Sequence, residues 1–194
     1  MALAPAPFTP PDGQPFRWTR ERYDRMVDVG VLTSEDRVEL LQGEIVEKMT
    51  QNSAHRVATL LAGRALREAF SQGAFVQEEK PIALADDSEP EPDLAVVRGD
   101  IRDYLDDHPA SGDLLLLVEV SDTSLLKDRL RKARLYAEAA VPEYWIVNLV
   151  DRALEVHRDP AAGVYRTKTT FAPSDTVRPH HAAAASILAA DLLP

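Results

Sequence analysis

The stretch Leu114-Leu-Leu-Leu-Val-Glu-Val120 decides the fold, because it is the most apolar part of the chain. Its five consecutive apolar residues, from Leu114 to Val118, predict a strand in the middle of a sheet that is buried on both faces. A helical segment, Ser124 to Ala139, follows this strand and is broken by Pro142. A second apolar strand, Tyr144 to Leu149, comes directly afterwards.

Strand and helix signals continue on both sides of this centre. Upstream, Thr19 is a plausible N-cap for a helix from Arg20 to Val29, and Gln42-Gly43 is typical of a hairpin turn. The other predicted elements are a helix from Asn52 or Ser53 to about Phe70 and strands at 75–84, 93–97, 153–158 and 164–171. This order predicts an α/β (α+β) fold with a mixed central β-sheet flanked by helices.

Length and proline content predict one domain preceded by an arm. Residues 1–15 hold five of the 14 prolines and no apolar periodicity, so we interpret them as a flexible Pro-rich arm. The remaining residues, 16–194, are enough for a single domain with a substantial core.

Composition excludes several functional classes. The chain has no cysteine, which excludes disulfides, thiolate zinc sites, iron–sulfur clusters and cysteine nucleophiles. No run approaches the roughly 18 apolar residues of a membrane span, and no signal-peptide pattern opens the sequence, so a cytoplasmic protein without membrane contact is predicted.

The net charge of −10 argues against a protein that binds nucleic acid through a general excess of positive charge. Any nucleic-acid role therefore needs a local patch, for which the five cations of residues 127–134 are a candidate; a solvated helix face is an equal alternative.

Two strand-borne carboxylates are candidate metal ligands. Glu119 follows the apolar run, where a carboxylate is costly unless it is paired or bound to a cation, although a solvated strand end remains an alternative. Asp93 opens a short strand after Pro92, and its plain alternative is a loop exit. If the two converge, their oxygens suit Mg²⁺. The acidic residues 86–91 just before Asp93 are predicted to form a polar surface loop.

The helix after Glu119 supplies a candidate cation, Lys132. On a helical wheel, the predicted core stripe consists of Leu126, Leu130, Ala133 and Ala137. Lys132 lies on the flank of this stripe, from which a long side chain can reach over the edge of the sheet. The alternative is an exposed lysine that pairs with Asp128. On the same wheel Leu135 lies opposite the stripe, which makes it a candidate contact in a homo-oligomer.

Several separate motifs resemble the Uma-two family, a bacterial group classed with restriction endonucleases in the PD-(D/E)XK nuclease-like superfamily. The matching residues are Leu117-Val-Glu-Val-Ser-Asp-Thr-Ser124, then Asp128, Lys132, Tyr136 and Val141-Pro-Glu-Tyr-Trp-Ile-Val147, together with the earlier Val38-Glu-Leu-Leu-Gln-Gly-Glu-Ile-Val46, His55 and Pro92-Asp-Leu-Ala-Val-Val97. The resemblance covers most of residues 20–170. It implies a restriction-endonuclease-like core and phosphodiester hydrolysis with a divalent metal, Mg²⁺ or Mn²⁺.

The resemblance also implies roles for individual residues. Asp93 and Glu119 match the two metal-binding acids, and Glu39 matches an acid that serves as a further ligand or water-holder. Ser121 stands where the superfamily has its lysine, which points to Lys132 as the displaced catalytic lysine. His55 matches a family histidine whose role is equally well explained by capping or packing.

The resulting hypothesis is a metal-dependent endonuclease that acts on nucleic acid, with DNA favoured, as a homodimer or higher homo-oligomer. The alternative is a catalytically inactive nuclease-like module that binds nucleic acid or a protein partner. The acidic net charge and the absent Glu-X-Lys favour the alternative, and the full set of Glu39, Asp93, Glu119 and Lys132 favours the enzyme.

Overall fold

A six-stranded mixed sheet forms the centre of the molecule. The computed structural model describes residue 13 and residues 15–194; most of the predicted Pro-rich arm, residues 1–12 and 14, lies outside the described residues. The sheet has the order β3-β4-β5-β6-β7-β8, in which β5 and β6 run parallel and the other neighbours are antiparallel. Its strands are β3 (Ala74–Glu78), β4 (Leu94–Arg98), β5 (Leu114–Ser121), β6 (Glu143–Asn148), β7 (Ala153–Ala161) and β8 (Val164–Phe171). The prediction of a mixed sheet flanked by helices is therefore confirmed.

Two helices and a hairpin precede the sheet. Helix α1 (Arg20–Asp28) begins after Thr19, whose hydroxyl accepts the backbone N–H of Arg22. Strands β1 (Val38–Leu41) and β2 (Glu44–Glu47) form the predicted hairpin. Helix α2 (Ser53–Ala69) begins after Asn52, whose side chain accepts the backbone N–H of His55. Both N-caps satisfy a backbone donor that a helix start leaves open.

The helical segment between β5 and β6 departs from regular α-geometry. It comprises α3 (Leu125–Lys127), a π-helical segment (Asp128–Lys132) and α4 (Ala133–Glu138). A π turn holds one residue more than an α turn, so the inward-facing positions before and after it do not follow one 3.6-residue wheel. The predicted core stripe is consequently wrong in its first half, since Leu126 and Leu130 are 71% and 63% exposed.

The prediction for Leu135 is also wrong. Its side chain is 4% exposed and packs in the core, so it is not available as an oligomer contact. The π segment explains both errors, because it turns Asp128 and Lys132 toward the sheet in place of the leucines.

The sheet carries a hydrophobic core on each face. Leu66 from α2 packs on the face that carries Val118 and Trp145. On the opposite face, Tyr136 from α4 packs with Tyr144, as part of a cluster that also contains Leu117 and Tyr165. Since side chains alternate along a strand, Glu119 lies on the face of Leu117, beneath the helical segment.

The chain after β8 is built from short elements. Strands β9 (Thr176–Val177) and β10 (Ile187–Leu188) pair with each other, and Leu192 and Leu193 complete the core beside α2. Among the described residues, no helix has the length and apolarity that crossing a membrane requires.

Candidate active site

The sheet register brings Asp93 and Glu119 together. Leu94 at the start of β4 is paired with Val118 on β5, so the two acids lie one residue further along the same antiparallel pair. The backbone N–H of Val120 donates a hydrogen bond of 2.7 Å to Asp93 Oδ2, which fixes the Asp93 carboxylate against the end of β5. Both acids are buried, Asp93 with 8% and Glu119 with 4% exposure. Two acids that are 26 residues apart in the chain thus meet at one point of the sheet.

Lys132 reaches Glu119 from the helical segment. Its Nζ lies 2.8 Å from Glu119 Oε1, and the Tyr136 hydroxyl donates to the same oxygen at 2.7 Å. Lys132 is 5% exposed, so the alternative of an exposed helix lysine is wrong. A lysine on the helical segment therefore meets the strand-borne acid without the usual Glu-X-Lys spacing.

Burial and charge oppose each other in this pair. Burial raises the pKa of Glu119 to about 8, and the nearby ammonium of Lys132 counteracts this shift only in part. Burial alone would lower the pKa of Lys132, but the carboxylates of Glu119, Glu39 and Asp128 outweigh it and raise the pKa above the usual range. Lys132 is accordingly cationic, whereas Glu119 is poised to gain or lose a proton near neutral pH.

Glu39 is positioned by the β1–β2 hairpin and is 1% exposed. Lys127 Nζ donates to its Oε1 at 2.9 Å, and its Oε2 accepts the backbone N–H of Glu91 at 3.2 Å and lies 3.5 Å from Lys132 Nζ. Although burial opposes it, the charges of Lys132 and Lys127 hold the pKa of Glu39 below its usual range. Both oxygens of Glu39 are thus engaged, and the residue serves to hold two lysines at the site.

Asp128 is a buried acid whose role the sequence left open. The hydroxyls of Ser121 and Ser124 donate to its Oδ2 at 2.7 and 2.6 Å. Burial raises its pKa, and the charge of Lys132 and the two serine hydrogen bonds limit that rise. Ser121, at the place of the superfamily lysine, therefore anchors Asp128 within the site.

His55 lies beside Asp93 on the first turn of α2. Its Nε2 is 3.2 Å from Asp93 Oδ2. Burial alone would lower its pKa, but the hydrogen bond and the charge of Asp93 outweigh burial and raise it. His55 is thus both part of the helix start and a direct neighbour of a candidate metal ligand.

One cavity of about 50 Å³ joins all of these groups. Such a volume is enough for about three or four water molecules or a small hydrated ion. Five carboxyl groups and three ammonium groups line it together with His55: Glu39, Glu91, Asp93, Glu119 and Asp128, and Lys48, Lys127 and Lys132. The five carboxyl groups therefore outnumber the three ammonium groups, and His55 adds a further basic group to the lining.

The donor set fits a hard divalent cation. Carboxylate oxygens are the ligands that Mg²⁺ prefers. Burial is the main cause of the raised pKa of Glu119, and the nearby carboxylates of Asp93, Asp128 and Glu39 add to it. Within residues 13 and 15–194, no three His, Cys, Asp or Glu side chains are grouped as a ready-made metal cage. An ion here would thus bind through few protein ligands and keep several waters, which is the usual behaviour of Mg²⁺.

Comparison with known proteins identifies the family. The model of the Uma2 family, described as "Putative restriction endonuclease", matches residues 20–190. The chain belongs to this family. No curated protein matches it.

A solved structure shares the fold of this Uma2 chain. It is described as "a putative nuclease belonging to DUF820 from Anabaena variabilis", and it superposes with a TM-score of 0.66 at 14% sequence identity. The alignment covers 85% of this chain and 94% of the other. The similarity establishes that the two chains share a fold.

In this Uma2 chain, the structure brings the predicted residues Glu39, Asp93, Glu119 and Lys132 to one cavity, which Lys48 and Glu91 also line. The sequence leaves two alternatives for the cations of residues 127–134, a phosphate-contacting patch or a solvated helix face. Arg129 bonds Glu155 and Arg131 bonds Glu44, and neither lines the cavity. Of the cations on that helix, only Lys127 and Lys132 line the cavity.

The acidic loop before Asp93 is not the polar surface loop that the sequence predicts. Glu89 is 4% exposed and paired with Arg20, while Glu91 faces the cavity and pairs with Lys48. No sequence signal marked Lys48, because it is an isolated cation after a short strand.

Proposed function

We propose that the chain is a metal-dependent endonuclease that hydrolyses phosphodiester bonds in DNA. The observation that carries the proposal is the single cavity in which two strand-borne acids, Asp93 and Glu119, meet beside a buried ammonium group. The family description supports a nuclease, and a restriction endonuclease acts on DNA.

Asp93 and Glu119 would hold Mg²⁺ or Mn²⁺. When bound, such an ion supplies Lewis-acid chemistry, since it lowers the pKa of water and polarises the phosphoryl group. The protein prepares this place by fixing Asp93 through the Val120 N–H and Glu119 through Lys132 and Tyr136. Prepositioned carboxylates do not have to reorganise when the substrate arrives.

Lys132 stabilises the negative charge that develops on the phosphate during hydrolysis. Its ammonium has three donors, and Glu119 takes one of them at 2.8 Å. Burial strengthens its interaction with an anion, because the surrounding medium screens charge less than water does. Glu39 assists by forming a second ion pair with Lys132, at 3.5 Å.

Plasmid cleavage tests the proposal. We expect supercoiled DNA to be nicked or linearised with Mg²⁺ or Mn²⁺, and to stay intact with EDTA. Glu119→Gln and Lys132→Met should abolish cleavage. Lys168→Ala is the matched control, because Lys168 is an exposed lysine on β8 outside the cavity. Equal cleavage by wild type and Glu119→Gln would assign the activity to a contaminant or to another site.

Calorimetric titration with Mn²⁺ separates the enzyme from the alternative of an inactive module. An enzyme of the proposed kind binds Mn²⁺ in the wild type and loses that binding in Asp93→Asn. A folded wild-type protein that binds no Mn²⁺ would favour the module without turnover. Gel filtration tests the expected homodimer, which would supply two sites for the two strands of a duplex.

A further inference from the structure

Two lysines stand at the rim of the cavity, above the buried acids. Lys48 follows β2, and Lys127 ends α3. Their side chains are 17% and 26% exposed, compared with 7% for Lys132. Lys48 and Lys127 are thus partly accessible at the opening of the cavity, where Glu91 is also partly exposed, whereas Lys132 is buried with Glu39 and Glu119.

Each rim lysine is held in place by an acid of its own. Lys127 Nζ lies 2.9 Å from Glu39 Oε1, and Lys48 Nζ is bonded to Glu91 Oε2. An ammonium group has three donors, so one ion pair leaves the others free for an incoming acceptor. Because the side chains are already ordered, an anion that binds them loses less conformational entropy.

The choice of lysine at this place is unusual for the chain. It contains 17 arginines and only five lysines, yet three of the lysines and none of the arginines line the cavity. A lysine presents a compact point charge, whereas arginine presents a wide planar fork. At the opening of this small cavity of about 50 Å³, lysine ammonium groups therefore leave more room for a tetrahedral phosphate than guanidinium groups would.

We propose that Lys48 and Lys127 form a phosphate-binding subsite, which takes a backbone phosphate of the nucleic acid next to the one that is cleaved. The inference rests on the proposed function, since the subsite lies at the opening of the cavity where the cleaved phosphate would be bound. The five carboxyl groups of the cavity outnumber its three ammonium groups, so we expect the subsite to bind nucleic acid tightly only when a divalent cation is present.

The salt dependence of DNA binding tests the subsite. Fluorescence anisotropy of a labelled duplex, measured with Ca²⁺ at increasing KCl, gives the slope of log K against log salt. Each lost phosphate contact should reduce the magnitude of that slope by about 0.9, and the affinity should fall to a similar extent for any sequence. We expect this from Lys127→Gln and from Lys48→Gln, and about twice the reduction from the double variant.

Charge-preserving and remote variants control the experiment. Lys127→Arg should retain most of the slope, and Lys168→Gln should retain all of it, because Lys168 lies outside the cavity. Circular dichroism confirms that each variant is folded. If the double variant keeps the wild-type slope, the two lysines are structural ion pairs only and the inference is overturned.

Failure of the inference and failure of the proposed function give different results. A wild type that cleaves DNA while the double variant shows an unchanged slope overturns the subsite alone. A wild type that neither binds nor cleaves DNA with any divalent cation overturns both. DNA binding of equal strength with EDTA and with Ca²⁺ contradicts the cation dependence and also overturns the subsite.

Discussion

Replacement of Lys132 by methionine tests the electrostatic core of the site. The substitution keeps the length of the side chain and removes the charge that lies 2.8 Å from Glu119 and 3.5 Å from Glu39. At 2.8 Å and an effective dielectric constant near 20, the attraction between Lys132 and an ionised Glu119 is about 6 kcal/mol. Desolvation of both groups offsets part of it, and removal of one partner from a buried pair typically destabilises by about 3–5 kcal/mol.

The pH dependence of this loss follows from Glu119. Its pKa is about 8 in the folded protein and near the usual 4.5 when unfolded, so the folded state binds the proton first. The contribution of Glu119 to stability is therefore fully present below about pH 4.5 and is lost as the pH rises towards 8. Without Lys132 the folded pKa is higher still, and the loss continues above that pH.

We therefore expect Lys132→Met to lose about 2 kcal/mol at about pH 6.5 and about 3 kcal/mol or more at about pH 9. Urea unfolding at both pH values measures the loss, which corresponds to a drop in Tm of roughly 4–12 °C. The double variant with Glu119→Gln should show no such increase with pH. A loss that is the same at both pH values, or a variant as stable as the wild type at the higher one, would refute the reasoning.

Four further substitutions probe three separate parts of the structure. Tyr136→Phe removes the hydroxyl that bonds Glu119 at 2.7 Å and should lower the free energy of unfolding by about 2 kcal/mol in urea, with the ring still packed. Glu155→Gln should lower the free energy of unfolding by about 1–2 kcal/mol at neutral pH, because the Glu155 carboxylate is ionised there and is hydrogen-bonded to neighbouring side chains. Although burial opposes it, these bonds lower the pKa of Glu155 to about 2, so the cost should shrink as the pH falls below about 4.5; an equal cost at low pH would contradict this. Leu130→Ala should change stability by less than about 0.5 kcal/mol and Leu135→Ala by about 3 kcal/mol, and the reverse order would show that the π segment is wrongly placed.

The sheet was predictable because its strands are marked by composition. The run from Leu114 to Val118 became the central strand, and residues 164–171 became β8 with the predicted bounds. The position of Glu119 directly after that run correctly indicated a carboxylate that needs a partner. A continuous apolar run is a strong local indication of a buried strand. The same indication of burial applies to Glu119, the residue at the end of the run.

The orientation of the helical segment was not predictable from periodicity. Hydrophobic wheels assume one residue every 100°, and the π segment breaks that assumption between Asp128 and Lys132. The tertiary contact decides the outcome, because Glu119 and Tyr144 bind groups of this segment, the Lys132 ammonium and the Asp128 carbonyl. The helical segment therefore directs Lys132 toward the carboxylate of Glu119, and it leaves Leu126 and Leu130 exposed.

The position of Lys132 on the helical segment, and not on the strand of Glu119, has a structural consequence. When acid and lysine share a strand, the backbone alone fixes their separation. Here the separation between Glu119 and Lys132 depends on how α4 packs against the sheet, which rests on the edge-to-face contact of Tyr136 with Tyr144, at 5.0 Å between ring centroids. Both rings are fully buried, so the contact is part of the core. The aromatic core beneath the helix therefore belongs to the geometry of the site as much as the charged residues do, and changes in it should affect the site before they affect the fold.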